Sequence, residues 1–303
     1  MSKSNLQTNL EYVVARCLLT LFAIMPVRAA MRVGACLASG YSWFPSRQAK
    51  IVETNLKIAL TDLSATEKRR IRRGAFAYLG RLLGVFSHFR NDGDAVKQIV
   101  IAEGLEHLTA AQTAGRGVIL FTGHVGAWEL SSFALSLLGH PLSFLVRRID
   151  NPKVEVMIDS ARRSRGNRTI DKRSAAREML EILRGGGTLG ILVDLNTLDR
   201  EAIFVNFFGK PASTTFIVAK LALRTGAPVL PVFAPWDETR KRFVLKIDQP
   251  LAMERTGDEE DDVRRLTQQY TQVVEDYVRR YPDQWLWIHR RWKTRPAGEK
   301  SLY

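Results

Sequence analysis

The chain has 303 residues, of which 46% are hydrophobic and 25% are charged. This composition is typical of a globular protein and excludes a disordered or collagen-like chain. The 45 Lys and Arg residues exceed the 31 Asp and Glu residues, which gives a net charge of +14 and indicates anionic partners. The two cysteines, Cys17 and Cys36, are too few for a disulfide scaffold or a cysteine-based metal cluster.

The N-terminal part of the chain is rich in apolar residues at helical spacing, over residues 10–44. Its uncharged run, residues 17–27, is shorter than the roughly 18 to 20 apolar residues that cross a bilayer. We therefore predict that residues 1–46 form an apolar helical membrane-anchor segment that lies in the bilayer interface, with the bordering arginines contacting lipid phosphates. A buried helix of the globular fold and a tilted spanning helix are the alternatives.

Residues 47–303 are predicted to form one catalytic α/β domain. After a helical stretch over residues 48–90, five apolar runs have the composition of buried strands: 117–122, 142–146, 188–193, 228–233 and 243–247. Helical patterns separate these runs, and a long helix is predicted at about residues 261–280. Continuous apolar strands that alternate with helices predict a mostly parallel central sheet flanked by helices.

The most informative stretch follows the first of these strands. His124 lies in the turn after the strand, and Glu129 lies five positions later at the start of the next helix. Ligands of open α/β sheets bind at the carboxyl ends of the strands, where His124 falls. We expect a bent loop to bring the Glu129 carboxylate to one imidazole nitrogen and to leave the other free to accept a proton from a substrate hydroxyl. The alternative is a histidine that is hydrogen-bonded in a turn while Glu129 caps the helix.

Other catalytic signatures are absent from the sequence. It contains no G-x-S-x-G elbow, Walker A loop or H-E-x-x-H motif, and no G-x-G-x-x-G follows a strand. The remaining histidines lack the spacing of metal ligands, so no metal site is predicted. The basic charge alone also fits a nucleic-acid-binding protein, but no helix-turn-helix, RNP or zinc signature accompanies it.

Four ordered motifs resemble one enzyme family. The stretch from His124 to Glu129 reads H-V-G-A-W-E and resembles the H-x4-D/E motif of glycerolipid acyltransferases. With Gly and Trp inside it, the motif resembles that of the bacterial lipid A biosynthesis lauroyl/myristoyl (lysophospholipid-type) acyltransferase family. Three further blocks resemble those of this family and follow its order along the chain. They are 147–152 with 165–167, 193–194 with 205–212 and 221–231, and 281–296.

This resemblance implies a membrane-associated O-acyltransferase on the cytoplasmic face of the bacterial inner membrane. The enzyme would move a fatty acyl chain from acyl carrier protein, or from coenzyme A, to a hydroxyl of a lipid A precursor, with no cofactor. The implied partners are acyl carrier protein, an anionic lipid acceptor and the membrane. Binding to nucleic acid is not expected. Alternative acceptors are a phosphatidylinositol mannoside, an ornithine-type lipid or a lysophospholipid. The competing class is a membrane-surface scaffold protein without catalytic activity. The presence of both His124 and Glu129 argues against it.

The resemblance also assigns roles to single residues. His124 becomes the general base and Glu129 the group that orients and polarises it. From the resemblance, Arg165 and Asp194 lie at the family's arginine and acidic positions. The chemistry of the residues adds that Arg147 and Arg148 would bind acceptor phosphates and that Arg165 or backbone N–H groups near Gly209 would stabilise the oxyanion. The substrate-binding residues predicted in this way are Arg147, Arg148, Arg165, Asp194 and Gly209. The tryptophans of the C-terminal block fit either a membrane-interface belt or the core: Trp285, Trp287 and Trp292.

Overall fold

A computed structural model describes residues 4–171, 175–197 and 201–303. Its helices are α1 (Asn5–Ala23), α2 (Val27–Tyr41), α3 (Arg47–Ala59), α4 (Ala65–Phe86), α5 (Gly93–Lys97), α6 (Leu105–Thr113), α7 (Trp128–Leu137), α8 (Pro152–Arg162), α9 (Ala175–Arg184), α10 (Ile217–Thr225) and α11 (Glu259–Arg280). Its strands are β1 (Val100–Glu103), β2 (Val118–Thr122), β3 (Ser143–Val146), β4 (Arg168–Asp171), β5 (Thr188–Leu192), β6 (Ala202–Phe207), β7 (Lys210–Thr215), β8 (Val229–Phe233), β9 (Trp236–Asp237) and β10 (Arg242–Ile247).

A central sheet organises the described part of the chain. Its strand order is β1-β10-β8-β2-β5-β3-β4, and β9 pairs with β10. The strands from β8 to β4 run parallel to one another, whereas β10 is antiparallel to β8. The prediction of an α/β fold with a mostly parallel central sheet flanked by helices is therefore confirmed. Outside this sheet, β6 and β7 form an antiparallel hairpin.

Helices cover both faces of the sheet because its central strands are apolar on both sides. The four residues from Val118 to Phe121 of β2 are all buried. On one face α4 and α7 pack together, where Phe89 and Phe133 stack with ring centroids 4.2 Å apart. On the other face α10 and α11 cover the strands, and Tyr277 of α11 stacks on Phe233 of β8 at 3.9 Å.

The predicted N-terminal segment forms two helices, α1 and α2, which separate at Pro26 because proline cannot continue the first helix. The boundary predicted between residues 46 and 47 falls at the start of α3. Residues Phe22, Val27, Ala30 and Met31 are buried, and α2 packs along α4. Within the described ranges, every helix is too short or too polar to cross a bilayer.

The C-terminal tryptophans belong to the core. Trp285, Trp287 and Trp292 are 4%, 0% and 0% exposed, and their rings contact one another and Phe207. This burial decides against the membrane-interface belt. The segment that carries them instead forms a wall beside the carboxyl ends of the strands, where the candidate site lies.

Candidate active site

His124 lies two residues beyond the end of β2, in a loop that backbone hydrogen bonds hold in place. The N–H of Gly126 donates to the carbonyl of Gln284 at 2.9 Å, and the N–H of Leu286 donates to the carbonyl of His124 at 3.1 Å. Gly126 has a φ of +70°, and a Cβ atom there would lie 2.6 Å from the carbonyl carbon of Ala234. Only glycine fits this position, so the loop can turn tightly and aim His124 at the sheet edge.

A buried carboxylate, Asp194, binds His124 from the neighbouring strand. Asp194 follows β5, which pairs with β2, and its side chain is 0% exposed. Its Oδ1 atom lies 2.7 Å from Nδ1 of His124. Its Oδ2 atom accepts hydrogen bonds from the backbone N–H of His124 and from Nε1 of Trp285, both at 2.7 Å. Both carboxylate oxygens are thus occupied by donors, two of them on His124.

The charge state of Asp194 follows from these contacts. Burial raises the pKa of a carboxyl group, but the charge of His124 and the hydrogen bonds from His124 and Trp285 outweigh it and lower the pKa of Asp194 to about 2. The carboxylate is therefore ionised at neutral pH. An ionised carboxylate at Nδ1 holds the proton of a neutral imidazole on that nitrogen, which leaves Nε2 as the basic nitrogen.

Glu129 occupies a different place from the one predicted. Its carboxylate accepts two hydrogen bonds from Arg162 of α8, from Nε at 3.0 Å and from Nη2 at 2.5 Å. The prediction that Glu129 orients His124 is therefore corrected, because Asp194 takes Nδ1 and Arg162 takes Glu129. The local cause is that Glu129 lies in the first turn of α7, where its side chain faces α8. Arg162 was not among the predicted site residues.

His124, Glu129 and Arg162 share one cavity of about 730 Å³. This volume lies in the range of small-molecule sites. We call its end at the carboxyl edge of the sheet, where His124 lies, the mouth. Much of the remaining lining is apolar, with Leu120, Leu135, Leu142, Phe144, Ile191 and Met179 among its residues. Among the described residues, no group of three or more His, Cys, Asp or Glu side chains is arranged to hold a metal ion.

A second histidine, His289, also lines the cavity. Burial lowers the pKa of His289 to about 4, so this imidazole is neutral at neutral pH. Asn55 of α3 holds the backbone of this segment by donating to the carbonyl groups of Trp287 at 2.6 Å and His289 at 2.7 Å. The sequence signal for His289 was its position in the C-terminal motif, which by itself gave no indication of the cavity.

The other predicted substrate-binding residues divide into two groups. Arg147 lines the cavity, whereas Arg148 pairs with Asp171 at 2.8 Å and its side chain is 66% exposed. The guanidinium of Arg165 packs against Gly93 of α5. Gly209 lies in the exposed turn between β6 and β7, where its φ is +71°. The structure thus brings Arg147 to the cavity and Asp194 to His124, and it leaves Arg148, Arg165 and Gly209 outside the described lining.

The site has an imidazole with one nitrogen held by a buried carboxylate, beside a cavity at the end of a parallel sheet. Such an arrangement can accept a proton in an α/β fold. The chain belongs to the bacterial lipid A biosynthesis acyltransferase family, whose family model matches residues 2–294. It is therefore an acyltransferase, and the predicted family and enzyme class are confirmed.

Curated relatives extend over most of the chain. The lipid A biosynthesis lauroyltransferase of Escherichia coli K12 is 26% identical over 282 residues, which cover 92% of this chain and 90% of the relative. The palmitoleoyltransferase of the same organism is 28% identical over 263 residues, with 86% and 83% covered. The corresponding myristoyltransferase is 22% identical over 250 residues, with 82% and 76% covered.

Proposed function

We propose that this protein transfers a fatty acyl chain from the thioester of acyl carrier protein to a hydroxyl of a lipid A precursor, with His124 as the general base. The observation that carries this proposal is the Asp194 carboxylate on Nδ1 of His124 at 2.7 Å. It leaves Nε2 basic at the mouth of an apolar cavity. The relatives are named for lauroyl, palmitoleoyl and myristoyl transfer in lipid A biosynthesis, which supports a fatty acyl chain as the transferred group.

The reaction needs one proton transfer in each direction. Nε2 of His124 takes the proton of the acceptor hydroxyl while that oxygen forms a bond to the thioester carbonyl carbon. The resulting imidazolium is stabilised by the ionised Asp194 carboxylate. When the tetrahedral intermediate collapses, the carbon–sulfur bond breaks and Nε2 returns the proton to the leaving sulfur. The products are the ester and the free thiol, and no acyl-enzyme forms.

In this proposal Arg162 binds the substrate and Glu129 holds the Arg162 side chain in position. The bidentate contact fixes the guanidinium at the cavity wall, and the Arg162 side chain is 14% exposed. A guanidinium held in this way binds phosphate or carbonyl oxygens with defined geometry. Arg147, at the same cavity, supplies a second cation for an anionic acceptor. Together these two cations support an anionic lipid headgroup as the acceptor.

Glu129→Gln and Arg162→Met should each raise the KM for the lipid acceptor by on the order of tenfold, with a smaller fall in kcat. Either change breaks the same ion pair, so the double variant should lose little more than either single variant. Steady-state kinetics of the two variants and their combination test this expectation. Additive losses would show that the two residues act separately.

A membrane-binding surface is proposed on the N-terminal helices, in keeping with a cytoplasmic-face location at the bacterial inner membrane. Large apolar side chains are exposed along α1, along α2 and just after it: Leu6, Leu10, Val13, Val14, Leu21, Ile24, Leu37, Trp43 and Phe44. Such a surface on a chain of net charge +14 fits an anionic bilayer interface.

This surface adjoins the site through α8. The Asn151 side chain, at the start of α8, donates to the carbonyl of Thr8 and to the Glu11 carboxylate of α1, both at 2.9 Å. The other end of α8 carries Arg162 in the cavity. A lipid acceptor in the bilayer would therefore have a short path to His124.

Replacing Trp43 and Phe44 by serine should weaken binding to vesicles of anionic phospholipid by on the order of tenfold or more. The two rings are 71% and 65% exposed, so the protein loses little internal packing while the bilayer loses two aromatic contacts. Co-sedimentation with vesicles measures the effect, and the melting temperature in detergent is the control. Unchanged binding by a folded variant would exclude this surface.

The substrate assignment is tested with purified protein in detergent. Thioesters of acyl carrier protein and of coenzyme A are each offered with a lipid A precursor, a lysophospholipid or a phosphatidylinositol mannoside. We expect transfer from acyl carrier protein to the lipid A precursor. Faster transfer to one of the other lipids would replace the proposed acceptor, and consumption of thioester with none of them would reject acyl transfer to these lipids.

A further inference from the structure

The parallel sheet opens between β3 and β5. These strands pair only at Ser143 with Leu189 and at Phe144 with Gly190. By contrast, β5 pairs with β2 over five positions, and β3 pairs with β4 over four. The strands β3 and β4 therefore diverge together from the rest of the sheet towards its carboxyl end. Strands that separate in this way leave room for a ligand between the sheet and the helix that covers it.

Part of the cavity lies at this opening, on the face of the sheet that α7 covers. Ser131, Ser132 and Leu135 of α7 line one side of it. His124, Glu129 and Arg162 line its mouth, and apolar residues and one glycine line it further back along the strands: Leu120, Leu142, Phe144 and Gly190. We call this part of the cavity the α7 arm. Polar groups at the mouth and an apolar end match a molecule with a polar head and a hydrocarbon tail.

We propose that the α7 arm binds the acyl chain of the thioester and that Gly190, together with Leu142, limits the length of that chain. The inference rests on the proposed function and adds to it the site of the acyl chain. Gly190 lies four residues before Asp194, so an extended backbone separates them by about 13 Å. A staggered hydrocarbon advances about 1.25 Å per carbon, given C–C bonds of about 1.5 Å, so this distance matches roughly ten carbons.

The close neighbours of Gly190 support its role in limiting the length of the acyl chain. A Cβ atom built on Gly190 would lie 2.7 Å from Cδ1 of Leu142 and 3.2 Å from Cβ of Phe144. An added methyl group must therefore displace the Leu142 side chain, whose end is flexible, or push into the arm itself. Both outcomes shorten the space available to a chain. Removing the Leu142 side chain has the opposite effect, because it leaves a volume that extra methylene groups can fill.

The test measures which acyl chains the enzyme transfers when thioesters of different chain lengths compete. Wild-type protein and variants receive an equimolar series of saturated acyl carrier protein thioesters that differ by two carbons, and mass spectrometry of the lipid product reports the ratio of chains transferred. Gly190→Ala should shift the preferred chain shorter by about two carbons, and Leu142→Ala should shift it longer. The ratio of neighbouring lengths should change by on the order of tenfold, since each buried methylene is worth about fourfold in binding.

The control variant lies on the other side of the sheet. Ala176→Leu adds volume to an exposed alanine of α9 that lines the cavity away from α7, and the chain profile should stay that of the wild type. A profile changed by Ala176→Leu and unchanged by Gly190→Ala and Leu142→Ala would overturn the inference. If Gly190→Ala does not fold, the shift in preferred chain length with Leu142→Ala alone tests the inference. A wild-type protein that transfers no acyl chain would overturn the proposed function itself, which distinguishes the two failures.

Discussion

Asp194→Asn should lower the rate of acyl transfer by on the order of 10³-fold or more while the protein remains folded. The carboxylate accepts three hydrogen bonds, from Nδ1 and the backbone N–H of His124 and from Nε1 of Trp285. An asparagine offers one oxygen and an NH₂ group, so at least one of these donors would face another donor. The imidazole then favours the tautomer with its proton on Nε2, which cannot act as the base.

The measurement is kcat at saturating thioester and acceptor, with circular dichroism to show that the variant is folded. Trp285→Phe is the graded comparison, because it removes one donor to Asp194 and leaves both contacts with His124 in place. We expect a smaller loss from Trp285→Phe than from Asp194→Asn. A folded Asp194→Asn enzyme within tenfold of the wild-type kcat would show that His124 does not depend on this carboxylate.

His124→Asn should reduce acyl transfer by on the order of 10⁴-fold, close to the upper limit for the loss of a general base. The amide nitrogen of asparagine occupies roughly the place of Nδ1, so it can still donate to Asp194. The variant therefore keeps a hydrogen-bond partner for the buried Asp194 carboxylate. Without such a partner the buried charge would destabilise the fold. It removes Nε2, the atom assigned to the chemistry.

His124→Ala provides the matched control because it removes both nitrogens. We expect His124→Asn and His124→Ala to be equally inactive, with a higher melting temperature for His124→Asn. Thioester consumption and thermal unfolding, measured on the same preparations, separate the two effects. Substantial turnover by His124→Asn would assign the proton transfer to another group, and the neutral His289, which also lines the cavity, is a candidate.

The central strands were predictable because they are short apolar runs bounded by turn residues. The predicted runs 117–122 and 228–233 match β2 and β8 within a residue at each end. The edge strand β4 was missed, since only Ile170 of its four residues is buried and its pattern is polar. The β6–β7 hairpin was missed because its turn places Phe208, a non-glycine residue, at a φ of +54°.

The site was predictable in part. His124 and Asp194 were each recognised from motifs at strand ends, but their contact was not, because 70 residues separate them. They meet only because β2 and β5 are neighbours in the sheet, and chain order does not reveal that adjacency. Spacing in the sequence favoured Glu129, which is close to His124 along the chain. The structure shows that the first turn of α7 directs it to Arg162 instead.

The most direct test of the account compares Asp194→Asn with Glu129→Gln in one acyl-transfer assay, with an acyl carrier protein thioester and a lipid A precursor. Each enzyme is measured at saturating concentrations of both substrates, so that kcat reports on the chemistry. The account predicts that kcat falls by on the order of 10³-fold for Asp194→Asn and by about tenfold at most for Glu129→Gln. The reverse order, with Glu129→Gln nearly inactive and Asp194→Asn close to wild type, would contradict the assignment of Asp194 as the partner of His124.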